Sequence, residues 1–241
     1  MATQILAGKK IAVLVETEFI PEEIKTYQTR FPELGATVHL MSQLWDNPTA
    51  RFVSDIDEVD GEVPEYIEVN IDFQNVDLNE YAAVVMAANY TSVRLRYFRP
   101  PDGYPISPEQ TRTAPAVQFF AEAMANPKIV KGFLCHGLWI LTPMPELLKG
   151  RRVICHEVVL ADIVNAGAIY LPPPPNSELN DPRNIVVDGD MVTGHSGGDV
   201  IAFIDAIAHQ IVLQEKGGSL LSYERSLRQT EAEKLQFLLK E

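Results

Sequence analysis

Continuous apolar runs and helical stripes alternate along the chain. Lys10–Val15 (KIAVLV) follows two lysines and reads as a strand buried on both faces. Residues 21–30 read as a helix, with Pro21 at a favoured first-turn position and two acids behind it. Ala36–Met41, Tyr81–Ala87, Ile129–Leu134 and Arg152–Cys155 supply further strands. Arg51–Ile56 and Tyr66–Ile71 alternate around Asp60-Gly61, which predicts a β-ribbon excursion. Ser107-Pro108 opens a helix expected to reach about Ala125, and Leu138–Leu148 and residues 157–166 are predicted to follow as helices. Pro172–Pro175 is a stiff connector. Ile185–Val187 and Met191–Thr193 flank Asp188-Gly189 as a hairpin. Gly198–Glu215 carries the stripe Val200, Phe203, Ile204, Ile207, Ile211.

Strands that alternate with helices imply an α/β fold with a mostly parallel central sheet covered on both faces. The expected division is residues 1–216 as this domain and 217–241 as a helical extension, charged and studded with leucines. That extension would lie on its own domain or on a second subunit. The 241 residues, 46% of them hydrophobic, are enough for one generous core, so disorder is excluded as the dominant state.

The net charge of −13 makes nucleic acid and membrane poor partners. The acidity is local: residues 41–80 hold eleven acids and one base. It reads as a solvated face of the ribbon. The N-terminal sequence has no run of signal-peptide length, and Gly132–Pro145, uncharged but short, is broken by Pro143 and Pro145. Two cysteines cannot make a disulfide framework, so a cytoplasmic protein is expected.

Candidate chemistry concentrates where strands end, since open α/β sheets hold their sites beyond the carboxyl edges. Cys135 falls between a strand and a predicted helix whose dipole would favour the thiolate, and Gly137 permits a tight turn. Phe133 stands where a nucleophile elbow would carry a glycine. Taken alone, such a cysteine is also ordinary packing. Cys155-His156 ends the next predicted strand. If the two strands pair, an imidazole comes within reach of the Cys135 thiol, as an activated thiol requires, while Cys155 faces the interior. Arg94, Arg96 and Arg99 are interleaved with Tyr90 and Tyr97. They would either fix an anion or pair with the acidic ribbon. No close metal-ligand spacing points to zinc.

Gly132-Phe-Leu-Cys135-His136-Gly137-Leu-Trp, Leu147-Leu-Lys-Gly150-Arg-Arg, Asp162-Ile-Val-Asn165-Ala-Gly167-Ala and Val186-Val-Asp188-Gly189-Asp-Met-Val-Thr193 occur in that order. Together with Ile11–Val15 and Phe19-Ile-Pro-Glu22-Glu23-Ile24, they resemble the DJ-1/PfpI superfamily across roughly residues 9–212. The resemblance implies a flavodoxin-like three-layer sandwich, commonly a homodimer, with a reactive cysteine and no cofactor. It places Glu23 against the Cys135 sulfur as a proton-shuttling carboxyl, although Glu23 is equally well placed as a first-turn helix acid. It aligns His136 and His156 with the family's histidines at the same positions.

The departures are specific. Ala88 and Asn89 stand where relatives carry glycines near the oxyanion pocket, and their backbone N–H groups remain available for that task. Val93 replaces an acid that, in the protease-like branch, crosses to a partner's histidine. His195 is an additional imidazole bordering the cleft, or a loop histidine.

The resemblance therefore implies a small-molecule enzyme in which Cys135 adds or removes water at an electrophilic carbon. Glyoxalase-like conversion of a 2-oxoaldehyde, or hydrolysis or hydration, is the expected reaction. Glu23, His136 and His156 would serve Cys135, with Ala88, Asn89 and His195 around the pocket and Arg94 and Arg96 on the substrate anion. The alternative is a redox-sensing or chaperone-like stress protein that uses an oxidisable Cys135. A class I glutamine amidotransferase would need a late His-x-Glu pair, which His195-Ser196-Gly197 does not supply.

Overall fold

The computed structural model describes residues 4–55, 63–100 and 103–216. In chain order the elements are β1 (Lys10–Leu14), α1 (Pro21–Glu33), β2 (Thr37–Met41), β3 (Ala50–Val53), β4 (Tyr66–Val69), β5 (Ala83–Met86), α2 (Thr91–Leu95) and α3 (Pro108–Thr111). They continue with α4 (Pro115–Ala125), β6 (Val130–Leu134), β7 (Arg152–Val153), α5 (Glu157–Asn165), β8 (Ile169–Tyr170), β9 (Ile185–Asp188), β10 (Met191–Gly194) and α6 (Val200–Glu215).

Six strands form the central sheet in the order β2-β1-β5-β6-β10-β9. Every pairing is parallel except the β9–β10 hairpin at one edge. Strands β1 and β5 carry the unbroken apolar runs Ile11–Leu14 and Ala83–Met86 because helices cover both faces of the sheet. On one face α1 packs against α6, with Tyr27, Phe31 and Phe203 in ring contact. On the other, Phe119, Phe120 and Phe133 join α4 to β6. Close approach of α6 demands Gly132, where an added Cβ would lie 2.8 Å from Ile207 Cδ1 and Phe203 Cζ. The result is an α/β sandwich with a mostly parallel sheet, as the alternating pattern predicts.

The ribbon exists as the antiparallel pair β3–β4, Ala50 opposite Val69 and Val53 opposite Tyr66. Its expected Asp60-Gly61 turn lies outside the described residues, as does the extension at 217–241. The ribbon is tied to the body by bridges from Ser54 to Phe19 and from Asp72 to Ser42.

Three expected elements differ. The helix from Ser107 to Ala125 is two helices, separated because Pro115 disfavours helical backbone at the residue before it. Ser107 caps the first with a capping box. Leu138–Leu148 is not an α-helix but two 3-10 segments, Gly137–Leu141 and Pro145–Leu147, since Pro143 and Pro145 interrupt the hydrogen-bond ladder. Arg152–Cys155 contributes only the two residues of β7, which pairs with β8 in a separate small sheet. The strand beside β6 is β10, not β7.

Candidate functional site

Cys135 follows β6 at the carboxyl edge of the sheet, in the left-handed region at φ 57°. A non-glycine residue stays there only where its surroundings hold it. Its N–H donates to the Gly194 carbonyl at 2.9 Å, and its own carbonyl accepts from the His156 N–H at 3.3 Å. Both backbone groups are therefore fixed, one by the end of β10 and one by the start of α5.

Asn89, shortly after β5, repeats the left-handed conformation at φ 62°. Asparagine is among the few side chains that tolerate it. Asn89 Nδ2 donates to Asp55 Oδ2 at 2.6 Å, so the ribbon braces the turn.

The sulfur is nearly buried, with Cys135 7% exposed. Backbone N–H groups of Gly197, Asn89 and His136 face it and favour the thiolate. Burial outweighs them, and the neighbouring Glu23 charge adds to burial, so the thiol is pushed up to about 11. This reverses the expectation of an acidified cysteine. The following segment is a five-residue 3-10 turn, with no α-helix behind it to supply the dipole. Cys155 is fully buried, as expected, and burial pushes its thiol up to about 12.

Glu23 lies in the first turn of α1, 1% exposed. The Ala88 N–H donates to both its carboxyl oxygens, at 2.9 and 3.0 Å. Burial raises its pKa to about 7, against the opposing influence of the Tyr27 hydroxyl and the Ala88 amide. A carboxyl that exchanges its proton near neutrality thus sits where its charge acts on Cys135. It follows that Ala88 is not free to hold an oxyanion. Among the described residues the amides that face the sulfur are those of Asn89, His136 and Gly197.

Three imidazoles line up beside the cysteine. His136 meets His156 edge-on at 5.0 Å between ring centroids, and His156 stacks on His195 at 6.1 Å. Burial first, and then His156, lowers the His136 pKa to about 4, so it is neutral at pH 7. Its Nδ1 is buried without a partner among the described residues. Tyr90 and Trp139 each lie 5.3 Å from the His136 ring.

His156 caps α5, its Nδ1 accepting from the Val158 N–H at 3.2 Å. His195 Nε2 meets Glu157 Oε1 at 3.1 Å. The expected approach of an imidazole to the thiol rested on pairing of β6 with β7, which does not occur. His156 instead reaches Cys135 through its backbone.

The arginines divide. Arg94 grips Glu18 through Nε at 2.9 Å and Nη2 at 2.8 Å, and Glu18 lies outside the ribbon. Arg99 stacks over Trp45, 4.7 Å from its centroid. Among the described residues Arg94 is thus committed to a carboxylate outside the ribbon, while Asp57, Glu58, Asp60 and Glu62 of the ribbon lie outside the described residues. Arg96 donates to Thr142 Oγ1 at 2.7 Å and appears in none of the ion pairs among the described residues.

Sequence reasoning missed Gly197, Asp55 and Glu157. The Gly197-Gly198 pair was the only sequence signal for Gly197, and the structure gives a reason for the glycine, since a Cβ there would lie 2.7 Å from Ile20 Cδ1. Asp55 and Glu157 left no local signal. Among the described residues no group of three His, Cys, Asp or Glu is arranged to hold a metal ion. No described helix is long and apolar enough to cross a membrane.

Residues 103–210, which include Cys135 and all three of these histidines, match the DJ-1/PfpI family. The match spans a little under half of the chain, which thus resembles the DJ-1/PfpI superfamily. A putative cysteine protease, YraA, of Bacillus subtilis is 26% identical over 196 residues, covering 81% of this chain and 94% of that protein. Among solved structures, a two-domain protein of Anabaena variabilis with DJ-1/ThiJ/PfpI-like and ferritin-like domains superposes with a TM-score of 0.62 at 23% identity. The match covers 87% of this chain but 48% of that one, so this chain spans about half its length. A ThiJ/PfpI domain protein of Brachyspira murdochii superposes with a TM-score of 0.60 at 16% identity, covering 85% of this chain and 96% of its own. Both share the DJ-1/PfpI fold.

Proposed function

We propose that this DJ-1/PfpI-like chain is a cysteine-dependent enzyme acting on a small molecule, with Cys135 as nucleophile. The observation that carries the reading is the pairing of a thiol held at φ 57°, faced by three backbone N–H groups, with a buried carboxyl whose pKa is about 7. At neutral pH the thiol keeps its proton, so attack requires a base, and ionised Glu23 is the group beside it.

For a 2-oxoaldehyde, Glu23 takes the thiol proton as sulfur bonds to the aldehyde carbon. The carbonyl oxygen gains a proton and a hemithioacetal forms. Moving a proton from that carbon to the neighbouring ketone, through an enediol, gives a thioester of a 2-hydroxy acid. One carbon is oxidised as its neighbour is reduced, so no external oxidant enters. Water then cleaves the C–S bond and restores the thiol, for a net addition of one water. The N–H groups of Asn89, His136 and Gly197 are the candidate oxyanion donors, in place of Ala88. Hydrolysis or hydration of another electrophilic carbon would use the same groups.

The redox-sensor alternative draws on the same cysteine, but a buried thiol pushed up to about 11 is a slow target for oxidants. The protein is further proposed to be a cytoplasmic homodimer needing no cofactor. Sedimentation should then give twice 26.9 kDa. The decisive test is 2-hydroxy acid formation from 2-oxoaldehydes by wild type, Cys135→Ala and Glu23→Gln. Turnover abolished by the first and reduced at least about a hundredfold by the second supports the mechanism. Turnover that survives Cys135→Ala overturns it.

A further inference from the structure

A cavity of about 690 Å3 opens at the carboxyl ends of β1, β2 and β5, lined by Glu16, by Gln43 and Trp45, and by the segment that begins with α2. Chain connections leave β1 and β5 in opposite directions, and open α/β sheets place ligand crevices at such a switch point. Cys135, at the end of β6, does not line this cavity. Its walls are largely apolar and include Trp45, Tyr97, Phe98 and Ile106. Trp45 and Tyr97 meet edge-on at 5.8 Å.

Two polar groups on its lining are incompletely matched. Arg96 has the Thr142 hydroxyl and the Trp139 ring, 5.9 Å away, as its neighbours; the Asp162 charge acts on it, but no carboxylate forms an ion pair with it among the described residues. Gln43 is 8% exposed. Its Nε2 donates to Gln74 Oε1 at 2.7 Å, while its Oε1 is buried with no partner among the described residues. Buried acceptors are almost always satisfied, so this one awaits a donor. Glu16 adds a half-buried carboxyl whose Oε1 accepts from the Thr17 N–H at 2.8 Å.

We infer that this cavity binds a small carboxylate that carries an N–H donor on an apolar body, the chemistry of an aromatic amino acid, free or N-acylated. The ligand carboxylate meets Arg96, the N–H meets Gln43 Oε1, and the body lies against Trp45, Tyr97, Phe98 and Ile106. A cavity of this volume suits such a molecule. Cys135 is not among the residues that line the cavity, and the inference does not rest on the cysteine chemistry.

The test is calorimetric titration of the full-length wild type and of Cys135→Ala. The probes are phenylalanine, N-acetylphenylalanine, 3-phenylpropionate (no N–H) and phenethylamine (no carboxylate). Saturable binding of phenylalanine or its N-acetyl form is expected in both proteins, about tenfold tighter than either of the other two probes. Arg96→Met should remove the advantage conferred by the carboxylate. Gln43→Met should remove the advantage of the N–H while leaving 3-phenylpropionate unchanged, and it keeps the test decisive if Arg96→Met fails to fold. Binding retained by Cys135→Ala after turnover is lost separates this site from the cysteine site. No saturable binding of either amino acid, or unchanged carboxylate preference in folded Arg96→Met, overturns the inference.

Discussion

Replacing Glu23 by glutamine keeps the side-chain shape and an oxygen for the Ala88 N–H, and removes the titration. The carboxyl pKa rises from 4.5 to about 7 on folding, so the folded state holds this proton more tightly than the unfolded chain does. The stabilisation is fully present below pH 4.5, where both states are protonated. It is lost as pH rises through 7, because folding must then either keep the proton against the solution or bury a charge. A shift of that size is worth about 3 kcal/mol.

Urea unfolding of wild type and Glu23→Gln between pH 4 and pH 8.5 measures it directly. Wild type should lose about 3 kcal/mol relative to the variant across that range, with unchanged m-values. Comparing the two proteins matters, because His136 titrates in the opposite sense. Its lowered pKa gives stability present above 6.5 and lost as pH falls through about 4, and this cancels in the difference. A difference flat within about 0.5 kcal/mol would refute a neutral buried carboxyl.

Other outcomes follow from the same geometry. In a Cys155→Ser background, alkylation of Cys135 should show a midpoint near 11, and Glu23→Gln should lower it, since the Glu23 charge raises the thiol pKa; a rise would show that protonated Glu23 instead stabilises the thiolate. Gly132→Ala should cost about 1–3 kcal/mol in thermal or urea unfolding, because its Cβ overlaps Ile207 and Phe203 at 2.8 Å. Asp199→Ala should cost about 3 kcal/mol and alter Cys135 alkylation. That carboxylate accepts from Asn180 N, Asn184 Nδ2 and Ser196 N, and so holds the loop that carries Gly197.

Strands β1 and β5 were legible because burial on both faces writes an unbroken apolar run, as in Ile11–Leu14 and Ala83–Met86, whereas the parallel pairing of β10 with β6 was not. Helix α6 was legible from one stripe, Val200 to Ile211. Prolines 115, 143 and 145 sit inside apolar patterns that read as helix, and backbone chemistry overrode the pattern there. Assigning β7 to the central sheet failed because a short strand carries no mark of which sheet it joins. The site was legible as a set of residue types near Cys135, Glu23 and the histidines. Its electrostatics were not, since the Cys135 thiol depends on burial and on Gly197, a residue far along the chain. The brace from Asp55 to Asn89 is equally long-range.

The position of β6 between β5 and β10 also has a meaning in time. Cys135 needs β10 and Gly197 to complete its surroundings, and Gly197 lies about sixty residues further along the chain. At synthesis rates of roughly 5–20 residues per second, the nascent chain carries this thiol for several seconds before its covering segment exists. During that interval it lacks the burial that pushes its thiol up in the folded protein, and it meets oxidants as an ordinary cysteine. Damage at Cys135 would therefore record the age of the chain when it met the oxidant.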